Sequence, residues 1–348
     1  MLLGRKMTSP KIFASTVSMI GLLFAIPAAA AQDMGSLRER VQHLIAGIDG
    51  QVGVTIRHIE SGEGFNVNGD RLFPTASVYK VPIMVEVFRQ AHEGKFSVHD
   101  RITLEPDTLY FSTILSHFEP GLNPTIHDIV FWMITESENG ATDLLLTKVG
   151  PDNVTATMRS LGLKQITVSR TVKLMMCDYM GFYDAPTRNL TGKEFRDMWE
   201  RKANAAYYKM WDDKDAPVPE SVQKFNRDIK DAASPNDVSA LLEMIFQGRV
   251  VDKEASQDMI AIMLQTTFFP QLIKGQLPWG TPVARKAGTL PTTLNETGII
   301  YLPNDKGHVI VTVMTNDLRG TRESKQNLIS GIARAAYDYF ATPIGPAH

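Results

Sequence analysis

The segment PTASVYKVPI (residues 74–83) places Ser77 three residues before Lys80, at the point where an apolar helix begins. Residues three apart on a helix share a face, so the serine hydroxyl and the lysine amine are expected to lie close together. The helix continues as VPIMVEVF (residues 81–88), which is largely apolar and is therefore predicted to be buried. Pro82 falls in the first turn, where its missing N–H costs little.

The lysine of this segment has two interpretations. On a buried helix its amine is desolvated, which lowers its pKa, and a neutral amine can take the proton of a neighbouring serine and make it a nucleophile. The helix N-terminus would then supply backbone N–H groups for a developing oxyanion. The alternative is a helix-capping serine beside a solvated surface lysine, and the segment alone does not exclude it.

The first 31 residues have the pattern of a secretory signal. A basic start with Arg5 and Lys6 precedes an apolar run at residues 20–26, and small residues precede an expected cleavage site near Ala31. The apolar run is short for a membrane span, although an uncleaved anchor is the alternative. The pattern predicts a bacterial protein that is periplasmic or secreted, with no membrane span after cleavage.

The composition of the chain narrows the classes of function. With 43% hydrophobic residues, 21% charged residues and a net charge of -2, nothing indicates a nucleic-acid partner. Cys177 is the only cysteine, so no internal disulfide can form, and the eight histidines show no metal-binding spacing. We expect a monomer that uses no metal and no cofactor and acts on a small molecule.

The order of predicted elements indicates an α+β fold. A helix and a hairpin at the start of the mature chain and three strands between residues 281 and 318 would pair into an antiparallel sheet of about five strands, drawn from both chain ends and flanked by helices. The mature domain, residues 32–348, would comprise an α/β part and an inserted all-helical lobe. The expected bounds are 32–80 and 255–348 for the α/β part and 81–254 for the lobe.

Within the lobe, residues 169–233 are rich in aromatic and charged side chains. We interpret this stretch as a long excursion from the lobe. It is predicted to contain one helix, at residues 192–210.

Two further stretches carry polar groups that suit catalysis. TESENGATDLLL places Ser137 and Asn139 at a helix junction, and VARKAGTLP places Lys286, Gly288 and Thr289 on a late strand. A second hydroxyl can pass a proton to a leaving group, a carboxamide can hold a substrate amide, and a second cation can hold a substrate carboxylate. The glycine lets a ligand approach the strand edge closely.

Taken together, Ser-x-x-Lys, Ser-x-Asn and Lys-x-Gly, in this order and at these separations, resemble the class A serine β-lactamases and their penicillin-binding relatives. The resemblance implies that Ser77 is the acylated nucleophile and that Lys80 helps to activate it. It implies that Ser137 relays a proton to the departing ring nitrogen, that Asn139 binds the substrate side-chain amide, and that Lys286 supports the charges around Ser137 and the substrate carboxylate.

The resemblance also implies substrate-binding groups around these five residues. The backbone N–H groups of Ser77 and Thr289 would form an oxyanion hole beside Gly288. Tyr110 and Ser112 would line the site by their position in the family pattern, although a packing role is equally compatible with the sequence.

The chain departs from the family pattern at three places. Glu138 replaces the usual aspartate, and its side chain is expected to turn away from the site. Ala287 replaces the usual threonine and has no hydroxyl for a substrate carboxylate, a contact that Thr289 would partly replace.

The third departure concerns the glutamate that activates the deacylating water in class A enzymes. In those enzymes it lies in a Glu-Pro-x-x-Asn loop soon after the Ser-Asp-Asn motif, but this chain has no glutamate between Glu138 and Glu194. The stretch SRTVKLMMCDYMGFYD (residues 169–184) stands there instead. Asp178 is a candidate substitute base, with a structural role as the alternative.

The sequence therefore leaves three functional hypotheses. The first is an exported serine hydrolase that opens β-lactam rings, with a role in β-lactam catabolism or antibiotic resistance. The second is a penicillin-binding D-Ala peptidase, or an esterase relative, acting on cell-wall peptides. The third is a β-lactam-binding sensor that deacylates slowly because the usual glutamate is absent.

Overall fold

The computed structural model describes residues 34–110 and 114–341, without the side chains of Tyr110, Asn204 and Asp212. The predicted signal segment, residues 1–31, lies outside the described residues. The strands are β1 Gln51–His58, β2 Gly64–Val67, β3 Phe73–Pro74, β4 Ala232–Ala233, β5 Val283–Leu290, β6 Thr293–Tyr301 and β7 His308–Asn316.

Helices account for most of the remaining described residues. They are α1 Met34–Ala46, α2 Lys80–His92, α3 Pro106–Tyr110, α4 Ile126–Thr135, α5 Asn139–Val149, α6 Pro151–Ser160, α7 Val172–Met180, α8 Ala185–Arg188, α9 Gly192–Lys202, α10 Asn204–Asp212, α11 Glu220–Arg227, α12 Pro235–Phe246, α13 Lys253–Leu264 and α14 Arg322–Ala341. Short 3₁₀ helices occur at Ala76–Tyr79, Leu115–His117 and Ile273–Gln276. No helix of these described ranges has the length and apolarity needed to cross a membrane.

The main sheet joins the two ends of the chain. Its five strands run antiparallel in the order β2-β1-β7-β6-β5, so a strand from the C-terminal region, β7, lies beside β1. β7 reads HVIVTVMTN, and all of it except the first residue is buried. β-branched residues suit such a doubly covered strand. The predicted α+β fold with a five-stranded antiparallel sheet is confirmed.

Each face of the sheet packs against its own set of helices. On one face, Val41 of α1 and Ile329 and Ile332 of α14 form a buried core with Val311 of β7. On the other face, the core continues into the helical lobe around α2, which is buried at ten consecutive or nearly consecutive positions from Lys80 to Gln90. Burial of one such aliphatic side chain contributes about 1.5–3 kcal/mol, so α2 is held firmly along its length from Lys80 onward.

The excursion at residues 169–233 differs from its prediction. It contains five helices, α7 to α11, and the single helix predicted for residues 192–210 is broken at Ala203 into α9 and α10. The break lets Tyr207 pack edge-on against Trp199, with ring centroids 5.0 Å apart. Tertiary packing of the aromatic rings therefore overrides the continuous helical pattern of the sequence.

A short strand at the end of the excursion was also missed. β4 pairs antiparallel with β3, so that Phe73 lies opposite Ala233. A two-residue strand has no periodicity in the sequence, which is why the prediction for the lobe contained only helices.

Ion pairs and hydrogen bonds join the first residues of the excursion to its last residues. The Nε atom of Arg170 donates to Asp231 Oδ2 over 2.6 Å, and the backbone N–H of Ser169 donates to Asp231 Oδ1 over 2.7 Å. Arg170 also pairs with Asp178, which accepts further hydrogen bonds from Arg188 (2.5 Å) and Lys230 (3.2 Å). Residues near 170 and near 231 are thus held together at the base of the excursion.

A second buried ion pair anchors the edge strand β5. Arg285 on β5 donates to Glu296 on β6, with 2.5 Å between the two atoms, and both side chains are almost fully buried. The same guanidinium donates to the carbonyls of Thr266 and Phe269, each at 3.1 Å, so it also holds the segment that follows α13.

Replacing Glu296 by glutamine is expected to destabilise the protein. The substitution keeps the side-chain shape but leaves the guanidinium of Arg285 buried without a carboxylate, which costs about 3–5 kcal/mol. Denaturant unfolding measures the change. Glu243→Gln is the matched control because its partner Arg57 is 44% exposed, so that pair is worth less than about 1 kcal/mol. Equal effects of the two substitutions would contradict the importance of the buried pair.

Candidate active site

Ser77 is presented by a strained turn. It lies in the 3₁₀ helix Ala76–Tyr79, one residue after Ala76, which has a φ of 43°. A non-glycine residue in this left-handed region costs about 1–3 kcal/mol, and it is retained here because Ala76 and Tyr79 are buried. Ser77 itself is partly exposed and lines a cleft. The helix that follows begins at Lys80, so the predicted placement of both residues agrees with the structure.

Lys80 is completely buried and its amine is directed at the start of α5. Its Nζ atom donates to the Ser137 carbonyl over 2.6 Å, to Asn139 Oδ1 over 2.9 Å and to Ser137 Oγ over 3.3 Å. Burial lowers the pKa of Lys80 to about 7, against the opposing charges of Glu138 and Asp143. A large fraction of the amine is therefore neutral near pH 7, so the surface-lysine interpretation of the sequence is excluded.

Ser137 receives a second buried amine. The Nζ atom of Lys286 lies 2.9 Å from Ser137 Oγ and 2.9 Å from the Ala287 carbonyl. Burial lowers the pKa of Lys286 well below its ordinary value, and the nearby charges of Lys80 and Arg285 act in the same direction. Ser137 has a φ of 57°, so its backbone is strained in the same way as that of Ala76 beside Ser77. Two amines of lowered pKa thus converge on one serine.

Close packing of β5 against the Ser77 turn requires Gly288. A Cβ atom at this position would lie 2.5 Å from the Thr75 carbonyl oxygen, 2.8 Å from the Val78 nitrogen and 3.0 Å from the Ser77 nitrogen. The approach brings Thr289 to the same cleft as Ser77. Any side chain at 288 would push the strand away from the turn.

Asn295 of β6 reinforces this approach, and sequence reasoning missed it. Its Nδ2 atom donates to the carbonyls of Pro74 (2.7 Å) and Thr75 (3.1 Å) from a fully buried position. No sequence motif marks Asn295. The available signal was a polar amide in the strand that forms a hairpin with the Lys-x-Gly strand.

The cleft that these residues share has a volume of about 130 Å³. Ser77, Ser137, Asn139 and Thr289 line it, and the amines of Lys80 and Lys286 reach it through Ser137. A larger cavity, of about 740 Å³, lies around the other end of α2 and contains none of the predicted site residues. The chemistry of the lining identifies the smaller cleft as the candidate active site.

One wall of the cleft comes from the excursion and is apolar. Val172, Met175 and Met176 of α7 and Tyr207 of α10 line it. Burial raises the pKa of Tyr207 far above its ordinary value, so its hydroxyl stays protonated. Sequence reasoning missed all four residues because the excursion departs from the family pattern.

Glu138, Tyr110 and Ser112 are further residues of the sequence prediction. Glu138 is buried and accepts hydrogen bonds from the backbone of Ile114 (2.7 Å) and Leu115 (3.3 Å), which agrees with a side chain turned away from the cleft. The side chain of Tyr110 and all of Ser112 lie outside the described residues.

Asp178 does not line the cleft. Its carboxylate accepts hydrogen bonds from Arg170, Arg188 and Lys230 in the ion-pair cluster at the base of the excursion. Burial raises its pKa, but the bond from Arg188 and the charges of Arg170 and Lys230 outweigh burial and lower it. The contacts favour the structural role that the sequence left open, and nothing in them supports a role as a base.

A glutamate in a Glu-Pro-x-x-Asn sequence does occur, but before Ser137. Glu119 begins EPGLN, residues 119–123, in the connection that precedes α4. Glu119 is exposed and is not among the residues lining the cleft. The sequence match therefore has no counterpart at the candidate site.

Asp143 is a further residue that sequence reasoning missed. Its carboxylate accepts hydrogen bonds from the backbone N–H groups of Val172 (2.6 Å) and Lys173 (3.1 Å), and so caps α7. Burial raises its pKa to about 6, against these bonds and the charge of Lys80. Asp143 lies one turn after Asn139 on α5, and this spacing would have indicated a shared face.

Comparison with known proteins identifies the family of this chain. A sequence profile described as the β-lactamase enzyme family matches residues 36–340. The chain belongs to this family. It is similar to β-lactamase VEB-1 of Pseudomonas aeruginosa, with 24% identity over 92% of this chain and 96% of that protein.

Two solved structures extend the comparison. A β-lactamase from Sphaerobacter thermophilus is 27% identical, covers 89% of this chain and 98% of its own, and has a TM-score of 0.67. A β-lactamase from Chitinophaga pinensis is 23% identical, covers 87% of this chain and 98% of its own, and has a TM-score of 0.70. The resemblance inferred from the three sequence motifs is confirmed at the level of family and fold.

The lowered pKa of Lys80 predicts a pH-dependent effect of Lys80→Met on stability. Between pH 7 and the ordinary lysine value of 10.5, the unfolded chain carries a proton on Lys80 that the folded chain does not. The stability of the unchanged protein therefore rises with pH in this window, by up to about 1.4 kcal/mol per pH unit from this group. The methionine variant lacks that rise.

Denaturant unfolding of the two proteins from pH 6 to pH 10 measures this difference. The variant should be most stable relative to the unchanged protein below pH 7, and its advantage should shrink toward pH 10. Lys164→Met, at an exposed lysine, is the control. A stability difference independent of pH would mean that Lys80 keeps its proton in the folded protein.

Proposed function

We propose that this protein is a serine hydrolase that opens β-lactam rings by forming an acyl-enzyme on Ser77. The observation that carries the proposal is the convergence of four groups on one cleft. Ser77 lines it, Ser137 lies across it, and the buried amines of Lys80 and Lys286 both reach the Ser137 hydroxyl. The similarity to β-lactamases of Pseudomonas aeruginosa and Sphaerobacter thermophilus supports the same substrate class.

Acylation transfers the proton of Ser77 to the ring nitrogen. The Ser77 oxygen attacks the lactam carbonyl, the neutral amine of Lys80 takes the proton, and the amide C–N bond breaks as the proton reaches the nitrogen through Ser137. The chain of contacts from Lys80 to Ser137 in the structure suits this relay. The reaction needs no group beyond the protein and the substrate.

Groups that are already in place would stabilise the negative charge that develops during acylation. The backbone N–H groups of Ser77 and Thr289 would bind the oxyanion, and loss of one such donor costs about 3 kcal/mol of transition-state stabilisation. Lys286 would attract the substrate carboxylate, while Asn139 would bind the side-chain amide. Ala287 offers no hydroxyl, so Thr289 would provide the nearest one on β5.

We also propose that the protein is exported to the periplasm or the outside after removal of residues 1–31. The basic and apolar pattern of that segment supports export, and the single cysteine is compatible with an oxidising compartment because it has no partner. The mass of the exported protein reports the N-terminus of the mature chain.

Exposure to a penicillin should add the mass of the intact antibiotic to Ser77. Ring opening retains all atoms of the substrate, so the adduct weighs as much as the penicillin itself. Intact-mass spectrometry of the exported protein measures both the adduct and the loss of the first 31 residues. Ser77→Ala should form no adduct, and Ser61→Ala, at an exposed serine, is the control. An adduct that persists in Ser77→Ala would refute the proposed nucleophile.

The apolar wall of the cleft favours a second candidate function, that of a slowly deacylating β-lactam-binding protein. Hydrolysis of the acyl-enzyme needs a base placed beside a water molecule, and such a base contributes 10²–10⁴-fold. Val172, Met175 and Met176 offer no proton acceptor, and Asp143 behind them is engaged by the backbone of α7. Acylation without fast turnover suits a sensor or a sink.

A carboxylate introduced into this wall should shorten the lifetime of the adduct. Met176 is half-buried at the cleft, so Met176→Glu can be accommodated and brings a base to the wall. We expect deacylation to become about tenfold faster or more. Met176→Gln is the matched control, and time-resolved intact-mass spectrometry measures both. If glutamate and glutamine have the same effect, the absence of a carboxylate from the α7 wall does not limit turnover.

A further inference from the structure

Glu136 contributes a carboxylate to the cleft and takes no part in the proposed acylation. It follows the last residue of α4, is half-buried and lines the cleft beside Ser137. Its Oε1 atom accepts a hydrogen bond from Thr267 Oγ1 over 2.8 Å. Among the described residues that line the cleft, it is the only one with a carboxylate.

Glu136 and Phe268 both line the cleft. Thr267, which donates to the Glu136 carboxylate, is the residue before Phe268, and the amine of Lys286 lies 5.8 Å from the centre of the Phe268 ring. Burial lowers the pKa of Lys286, and the negative charge of Glu136 is one of two that oppose this shift. Glu136 therefore acts electrostatically on the part of the cleft where Lys286 lies. We call residues Glu136, Thr267 and Phe268 the acidic wall.

The acidic wall adjoins the groups that would serve the leaving side of a β-lactam. Ser137, the neighbour of Glu136 in the chain, would protonate the ring nitrogen, and Lys286 would attract the carboxylate attached next to that nitrogen. A substituent near the carboxylate therefore points toward Glu136. The side-chain amide, held by Asn139, lies on another part of the substrate.

The Glu136 carboxylate is not neutralised by the cations around it. Among the described residues it forms no ion pair, since Lys286 bonds to Ser137 and Ala287 and Arg285 is paired with Glu296. A carboxylate without a cationic partner at the edge of a cleft attracts a positively charged ligand group. The Phe268 face adds a surface on which an organic cation is favoured.

We propose that Glu136 is a specificity-determining residue that selects β-lactams with a cationic substituent beside the ring carboxylate. The inference rests on the proposed function and names the substrate class within it. A pyridinium or other quaternary nitrogen is the favoured group. A neutral substituent gains nothing from Glu136, and an additional anionic one is disfavoured.

Two cephalosporins that share one acylamino group test this inference. One carries a pyridiniomethyl group at C3 and the other an acetoxymethyl group, so the two compounds differ only in the C3 substituent and its charge. The second-order rate constant of Ser77 acylation is measured for both compounds with the unchanged protein, Glu136→Gln and Glu136→Asp. The ratio of the two constants within each protein is compared between proteins, which cancels the intrinsic reactivities of the compounds.

We expect Glu136→Gln to lower the pyridinium-to-acetoxy ratio about fivefold, the size of a partly exposed charge pair. Glutamine can still accept the hydrogen bond from Thr267, so the midpoint of thermal unfolding should stay the same. Glu136→Asp should restore part of the ratio. High salt should lower the ratio for the unchanged protein and leave that of Glu136→Gln unaffected. Glu119→Gln, at an exposed glutamate away from the cleft, is the control.

Other results overturn the inference in distinguishable ways. If both rate constants fall together, Glu136 acts through Lys286 or the fold and does not select the substituent. If the ratio is the same in Glu136→Gln and the unchanged protein, the substituent does not approach this carboxylate. If neither compound acylates the unchanged protein, the proposed function itself fails and the inference falls with it.

Discussion

Two buried amines that share the Ser137 hydroxyl are the constraint on which the site depends. Removing a lysine amine from water disfavours its charged form, and a second amine nearby disfavours it further. Burial lowers the pKa of both Lys80 and Lys286, and for Lys286 the charge of Lys80 acts in the same direction. The fold thus produces a neutral amine near pH 7 from two residues that would both be charged in water.

The surrounding elements hold the two amines in register without contributing chemistry themselves. Lys80 begins a helix that is buried along almost its whole length, and Lys286 lies on a strand fixed by the ion pair of Arg285 with Glu296. Gly288 and Asn295 then set the distance between that strand and the Ser77 turn. The contacts of Lys80 with Ser137 and of Asn295 with Pro74 join segments that are distant in the chain, so the site exists only in the folded protein. Strained backbone at Ala76 and Ser137 is tolerated because this packing holds it.

The sequence predicted the parts of the fold and site that have local signals. The helix that begins near Ser77, the alternation of the end strands and the three short motifs were sufficient for the α+β fold and for the convergence of Lys80, Ser137 and Lys286. Asp143 and Asn295 have weaker local signals and belong to none of the three motifs, and their hydrogen-bond partners are backbone groups far along the chain. The prediction of a single helix in the excursion failed for a related reason, because aromatic packing around Tyr207 decides where the helix breaks. EPGLN matches the Glu-Pro-x-x-Asn pattern, yet Glu119 is not among the residues that line the cleft, so this local match does not identify a site residue.

The ion pairs at the base of the excursion have a consequence for how this segment can vary. Arg170 and Asp231 lie 61 residues apart in the chain yet meet directly. Because the entropic cost of closing a loop grows only slowly with its length, the loops between the helices of the excursion can change in length at small entropic cost. The helices themselves pack into the main core through Val172, Met175 and Phe225, so half-buried positions of the cleft wall such as Met176 are the ones that can be exchanged. Evolution or engineering can redesign the fate of an acyl group there while the paired amines on the other elements stay untouched.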